Sequence, residues 1–371
     1  MAIPLLDLKL QYATIRDEVL RVTEEVYSSQ IFILGKRVDD FERDFAAYCH
    51  TKHALGVSSG TDALLEALMV LGVGAGDEVI VPAYSFFATA GVVDRLGATP
   101  VFVDIRLEDY NIDPNLIEAK ISPRTKAIMP VHLYGQCAPM NEIMAIAQKH
   151  NVAVVEDAAQ AIGADYEGKR AGSIGVLGCF SFFPSKNLGA FGDAGAITCN
   201  DDALAEKLVD FRVHGMRPKY YHHYVGGNFR IDALQAAILH VKLPHLEAWH
   251  EGRRRNAEVY RRHFADAGLG DRVVVPEELP GRRHIYNQFV IRFAEGRDRV
   301  MAHLKSKSIG CEVYYPLTLP QQKCFANVPG ASDRYPNSEL SAEQTLAIPV
   351  FPELREEQIA EVVQEIRIAL G

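Results

Sequence analysis

Between residues 54 and 200, short apolar runs alternate with longer amphipathic stretches, and this rhythm restricts the chain more than any other feature. The runs are Ala54-Leu55-Gly56-Val57, Glu78-Val79-Ile80-Val81, Pro100-Val101-Phe102-Val103, Ala127 to Val131 and Val152 to Val155, each bounded by Gly, Pro or Asp. Between the first two lies a helical pattern, Thr61 to Leu71, with Leu64, Leu65 and Leu68 on one face. Apolar runs of this length suit strands buried on both faces, and the helical material supplies the crossovers that parallel strands need. The prediction is an α/β fold: a mostly parallel sheet sandwiched by helices. Cys179–Phe183 and Gly195–Thr198 read as two further strands closing the same unit.

The texture changes after about residue 230. Ile231 to Trp249 reads as helical, with Pro244 kinking or splitting it. A charged helix follows with Arg253, Arg254, Arg255, Arg261 and Arg262, read as a solvated face. Then come a strand (Asn287–Arg292), a helix (Asp298–Ser306), a strand (Cys311–Tyr315) and a final amphipathic helix, Glu356 to Leu370. Leu317 to Asn337, rich in Pro, Gln, Asn and Gly, reads as a loop. At 371 residues the chain has room for two domains. We expect an N-terminal segment with a large α/β domain over 1–240, and a smaller C-terminal α+β domain over 241–371.

A net charge of −9 argues against a nucleic-acid binder, which would carry a basic stripe. The six cysteines are scattered without CxxC pairs, as expected of reduced core residues. No apolar run approaches the roughly 20 residues of a membrane helix, and Met1 to Asp7 carries no basic, apolar leader. A cytoplasmic protein without a membrane partner is therefore expected. His222-His223 has no metal-ligand spacing to other His or Cys, so no metal site is expected.

Three segments can carry chemistry. In Phe180 to Gly189 an apolar strand runs directly into Lys186 and then into Gly189-Ala190-Phe191-Gly192-Asp193-Ala194-Gly195. A lysine among aromatics loses charge stabilisation and becomes a nucleophilic amine, whereas on a surface turn it does neither. Val154 to Gln160 sets Asp157 at the carboxyl end of a buried strand, where open α/β sheets bind ligands. Asp157 and Lys186 together fit a pyridoxal phosphate site, the lysine as Schiff-base former and the carboxylate paired with the pyridine nitrogen; alone, Asp157 also suits a helix N-cap. Ser58-Ser59-Gly60-Thr61-Asp62 opens a helix and offers free N–H groups to a phosphate, with Ser181 adding a hydroxyl. Phe86 is placed either to stack on the cofactor ring or to pack in the core. The Lys219 to Tyr224 stretch suits a phosphorylated or sugar substrate.

Together these motifs resemble the DegT/StrS-type sugar aminotransferases, pyridoxal-phosphate enzymes of the aspartate-aminotransferase fold (fold type I). The likeness runs from Ile3-Pro4-Leu5-Leu6-Asp7-Leu8 through Phe32-Ile33-Leu34-Gly35, Ser59 to Leu64, Glu156 to Gln160, Ser181 to Gly195 and Gly227-Asn228-Phe229-Arg230 to Tyr314-Tyr315-Pro316. It implies Lys186 as the catalytic lysine and proton shuttle, Asp157 as partner of the pyridine nitrogen, and Gln160 beside the phenolic oxygen. It implies Phe86 on the ring, Gly60, Thr61 and Ser181 on the phosphate, and Asn228 reaching the phosphate of a neighbouring subunit in a homodimer. Lys219, Tyr221 and Tyr315 are candidate substrate contacts. The implied reaction moves an amino group from L-glutamate to a keto-sugar of a dTDP- or UDP-linked hexose, for amino-sugar biosynthesis. A cyclitol or other keto acceptor, or a non-catalytic cofactor-binding regulator, stays open as an alternative. The sequence departs from the family pattern at Tyr315-Pro316-Leu317-Thr318-Leu319-Pro320, which lacks the usual histidine near the sugar site.

Overall fold

The computed structural model describes residues 2–371. Its centre is a seven-stranded sheet in the spatial order His53–Val57, Gly195–Cys199, Leu177–Ser181, Ala153–Asp157, Thr125–Ile128, Glu78–Pro82, Thr99–Val103. Six strands run one way; Gly195–Cys199 alone is antiparallel to both its neighbours. Successive side chains of a strand point to opposite faces, and both faces are apolar here. Val79, Val81, Val155 and Ile197 pack with the helix Gly60–Val70 on one side. Ile80, Val154 and Phe180 pack with Phe41 and Phe45 of the helix Lys36–Cys49 on the other. The predicted sandwich is therefore present, and the predicted strands lie within a few residues of the observed ones.

Pro244 falls where predicted to interrupt the helix: Ala233–Lys242 ends in the 3₁₀ turn Leu243–His245, and Leu246–Asp266 continues beyond it. That long helix leads to a second core. There a three-stranded antiparallel sheet, Val273–Val274, Phe289–Phe293 and Thr345–Ile348, packs against the helices Arg297–Ser306 and Glu356–Leu370. Ile3 pairs with Ile309 and is buried in this same core.

Two expectations are corrected. Cys311–Tyr315 is not a strand; only Glu312 makes a bridge, to Ala347, and the edge is taken by Thr345–Ile348 instead. The arginines of Leu246–Asp266 do not share one solvated face. Arg253 is buried and Arg254 binds Glu278, while Arg262 is exposed and pairs with Glu356. Five cysteines are buried and Cys324 is exposed, all free. Among the described residues no helix is long and apolar enough to cross a membrane.

Candidate active site

A cavity of about 420 Å³ opens at the carboxyl ends of the parallel strands. The approach to the reversed strand contributes as well, because Asp193 and Ala194, just before Gly195, line the same cavity. Of the residues singled out from sequence, Gly60, Thr61, Phe86, Asp157, Gln160, Ser181, Lys186 and Tyr315 all line this cavity.

Asp157 ends its strand with its side chain toward the cavity and is 4% exposed. Its Oδ2 accepts from Thr89 Oγ1 at 2.8 Å and its Oδ1 from the Ala159 N–H at 3.2 Å. Thr89 Oγ1 lies 2.8 Å from Ser85 Oγ, so a buried hydroxyl pair supports the carboxylate. Burial pushes the Asp157 pKa up, while the Thr89 hydroxyl, the Ala159 N–H and the Lys186 charge favour the ionised form. The helix-cap alternative does not apply, because no helix begins here.

The residue before it points the other way. Glu156 is fully buried and accepts from the N–H groups of Gly172, Ile174 and Gly175 at 2.6–2.8 Å. His132 Nδ1 accepts from the Ala138 N–H, so its Nε2–H donates to Glu156, at 2.8 Å. Adjacent carboxylates thus have opposite employments, one saturated by donors and one left for the cavity.

Lys186 sits on the turn after Leu177–Ser181, its N–H bonded to Phe183 O at 2.8 Å. The loop is held from several sides. Asn187 Nδ2 donates to Ile285 O at 3.1 Å, the Phe191 N–H to Gln235 Oε1 at 2.8 Å, and buried Lys242 to Gly189 O. Gly189 is required there, since a Cβ would meet Pro184 O at 2.2 Å. Crowding around the amine drives the Lys186 pKa down to about 8, opposed only by the Asp157 charge. Among the described residues no hydrogen bond holds its Nζ, and the amine is left available to a ligand.

The helix Gly60–Val70 starts at the cavity with Ser59 as N-cap, its Oγ accepting from the Asp62 N–H at 3.0 Å. A Cβ on Gly60 would lie 2.5 Å from Ser181 Cβ, and one on Gly195 2.5 Å from the Ser59 carbonyl. These glycines let the helix start, the strand end and the reversed strand close around a space lined by Thr61 and Ser181. Free N–H groups and the positive end of a helix dipole suit a phosphate. A nucleophilic amine, a buried carboxylate and a phosphate cradle in one cavity are the donor set that pyridoxal phosphate requires, so the residues fit that cofactor.

Gln160 accepts from the Tyr134 N–H at 2.7 Å through Oε1, which turns Nε2 toward Tyr315 OH at 3.1 Å. Tyr315 is held in turn by its N–H, which donates to the buried Tyr84 OH at 2.7 Å. Phe86 is 55% exposed, its ring 6.0 Å from that of Tyr315, an open face at the mouth and not core packing. Sequence reading missed Ser85, Thr89, Tyr134 and Gln288. Ser85 and Thr89 stand four apart near the start of the helix Ala88–Arg95, but nothing in that spacing announces a carboxylate's support.

Asn228, Lys219 and Tyr221 do not line the cavity. All three are exposed, in a stretch where Tyr220, Tyr221 and Val225 are 77%, 68% and 90% accessible.

The chain matches the DegT/DnrJ/EryC1/StrS aminotransferase family over residues 13–367. It is 52% identical to the "pleiotropic regulatory protein" of Geobacillus stearothermophilus, over 99% of this chain and 98% of that one. It is 47% identical to the UDP-N-acetyl-3-dehydro-alpha-D-glucosamine 3-aminotransferase of Acidithiobacillus ferrooxidans, over 100% and 98% of the two chains. The crystal structure of S. venezuelae DesV in complex with a ketimine intermediate superposes with a TM-score of 0.95 at 40% identity, covering 99% of this chain and 98% of that one. With the family matched over nearly its whole length and this cavity at its centre, the chain belongs to the DegT/DnrJ/EryC1/StrS aminotransferase family.

Proposed function

We propose that this protein is a pyridoxal 5′-phosphate-dependent aminotransferase that moves the amino group of L-glutamate to the keto-sugar of a dTDP- or UDP-linked hexose. The observation that carries the reading is the pairing, in one cavity, of the unbonded amine of Lys186 with the buried carboxylate of Asp157. The activities named for the Acidithiobacillus relative support the substrate class.

Bound pyridoxal phosphate supplies an electron sink and carries the amino group between donor and acceptor. The protein's own residues do the rest. Lys186 Nζ, neutral in useful proportion near pH 8, holds the cofactor and moves the proton from the donor Cα. Asp157 keeps a proton on the pyridine nitrogen, a role its Thr89 and Ala159 bonds prepare by favouring the charged carboxylate. Gly60, Thr61 and Ser181 hold the phosphate, Gln160 Nε2 the phenolic oxygen, and Phe86 covers one ring face. Tyr315, fixed by Tyr84 and Gln160, borders the acceptor.

The exposed 219–228 stretch fits a homodimer. Its bare Tyr220, Tyr221 and Val225 make an apolar patch of the kind interfaces cover. In that assembly Asn228 reaches the neighbouring copy's phosphate, and Lys219 and Tyr221 its sugar substrate.

A second reading, a cofactor-binding regulator without turnover, is suggested by the name of the Geobacillus relative; the complete set of Lys186, Asp157 and Gln160 favours catalysis. The visible spectrum of purified, cofactor-loaded protein decides. A yellow band bleached by L-glutamate and restored by a nucleotide keto-sugar supports the aminotransferase. A yellow band indifferent to glutamate and other amino donors supports the regulator, and failure to take up pyridoxal phosphate overturns both.

A further inference from the structure

Tyr315 is fixed more firmly than a residue that only borders a ligand needs to be. The Tyr314 carbonyl before it accepts from Tyr84 OH at 2.5 Å and from Tyr134 OH, and the Tyr315 N–H donates to Tyr84 OH at 2.7 Å. Tyr84 and Tyr134 are both buried. The Tyr315 ring stands edge-on to Tyr84 and tilted against Phe86, at 6.1 and 6.0 Å. Its hydroxyl has a fixed sense as well. Gln160 Oε1 is committed to the Tyr134 N–H, so the amide cannot be turned over, and it is Nε2 that meets Tyr315 OH, at 3.1 Å. The Tyr315 oxygen is therefore the acceptor, and its own proton is left for another partner. Among the described residues none takes it, and Tyr315, Gln160 and Lys186 line one cavity. Gln160 Nε2 keeps a second hydrogen for the cofactor's oxygen. Burial, and then the neighbouring Tyr84, push the Tyr315 pKa up, so the proton stays in place across the neutral range. Tyr314 lines the cavity too, but among the described residues no hydrogen bond aims its hydroxyl.

Moving an amino group onto a ketone has to dispose of the keto oxygen, which leaves as water and needs two protons. The other protic groups are engaged: Lys186 at the donor Cα, Asp157 at the ring nitrogen, Thr61 and Ser181 at the phosphate. Resting on the aminotransferase reading, we propose that the Tyr315 O–H is the proton donor to the keto oxygen of the acceptor and, in the reverse direction, the group that activates the water releasing the donor's keto acid. As the amine nitrogen adds to the keto carbon, the C=O π pair moves to oxygen and takes the Tyr315 proton, and one proton of the nitrogen restores the phenol. The C–O bond then breaks as C=N forms. The phenol's proton makes the departing oxygen water, and the second proton of the nitrogen restores the phenol again. Two protons have passed from nitrogen to oxygen, and nothing is oxidised or reduced. The Gln160 N–H steadies the phenolate in between.

The test compares cofactor-loaded wild type with Tyr315→Phe, which keeps the ring and loses only the O–H, with thermal midpoints recorded for both. Loaded as the aldehyde, the protein has no amino group to transfer, so 2-oxoglutarate carrying ¹³C at its keto carbon binds without reacting. In infrared difference spectra its keto stretch should lie at lower frequency in wild type than in Tyr315→Phe, as that of a hydrogen-bonded carbonyl does. With L-glutamate in deuterium oxide, the α-hydrogen should exchange at similar rates in both proteins, while 2-oxoglutarate formation falls about 100-fold in the variant. Deuterium in the recovered glutamate per 2-oxoglutarate formed should then rise by about the same factor. Loss of a contact alone would slow both processes alike. Equal keto stretches, or exchange and keto-acid formation falling together, would overturn the proposal. Should Tyr315→Phe fail to fold, a wild-type stretch as high as that of the keto acid's diester in hexane overturns it unaided. A wild type that exchanges no α-hydrogen defeats the aminotransferase reading itself, and the proposal with it.

Discussion

Cofactor-free protein should capture pyridoxal phosphate at a rate set by the neutral fraction of Lys186. With its pKa lowered from 10.5 to about 8, about 24% of the amine is neutral at pH 7.5, against about 0.1% for an ordinary lysine. The difference corresponds to about 3 kcal/mol of ammonium solvation lost to burial. Stopped-flow growth of the yellow band, followed from pH 6 to 10, reads this directly. Dividing by the rate with butylamine under the same conditions removes the cofactor's own titration and the free amine's, once the latter is corrected to its neutral fraction. The corrected rate should rise about 25-fold between pH 6.5 and 8.5 and then by only about 1.3-fold to pH 10. An unshifted lysine would instead gain about 24-fold over that last interval. In Asp157→Asn the bend should move below pH 8, because the Asp157 charge is what holds the ammonium up. A rate still climbing tenfold per pH unit through 9.5 would refute the claim that burial activates Lys186.

Gly60→Ala places a Cβ 2.5 Å from Ser181 Cβ; pyridoxal phosphate affinity should fall about tenfold or more with about 1–3 kcal/mol of stability, and an unchanged spectroscopic titration would show that the cradle yields. Lys242→Met removes the donor to Gly189, so amide exchange over residues 187–191 should quicken by about tenfold; unaltered exchange would mean the loop is held without it. Glu66 is fully buried with neither carboxylate oxygen bonded, and burial pushes its pKa well up. Above the ordinary carboxylate range the unfolded chain releases this proton and the folded one keeps it, so stability falls about 1.4 kcal/mol per pH unit until the buried acid ionises. Glu66→Gln should remove that slope, gaining on wild type as the pH rises above the ordinary carboxylate range in urea titrations; parallel curves would place the group in water.

Strands legible in the sequence are those buried on both faces, where apolar runs have no other use. Thr345–Ile348 escaped notice because it is only four residues long and follows the helix Pro336–Gln344 directly. Cys311–Tyr315 has strand composition, but beyond the single bridge at Glu312 its backbone bonds to side chains: the Tyr315 N–H donates to Tyr84 OH, Tyr314 O accepts from Tyr84 OH, and the Val313 N–H donates to Glu312 Oε1. Lys186 and Asp157 were readable because their types are costly where the pattern put them. Thr89 and Tyr134 were not, since each acts through one hydrogen bond to a residue distant in sequence. Three consecutive arginines say nothing about which one turns inward; that depends on the helix phase set by Trp249, Ala257 and Tyr260 against the two cores.

The reversed strand also sets a schedule. His53–Val57 has a single neighbour in the sheet, Gly195–Cys199. During synthesis the Ser59-Gly60-Thr61 turn is among the earliest parts of the site to leave the ribosome, yet the strand that leads into it has no partner in the sheet until Cys199 has followed. Contacts so distant along the chain form slowly. The phosphate cradle is therefore a late product of folding, and the lysine loop is later still, because Gln235, Lys242 and Ile285, which hold it, are all made after Cys199.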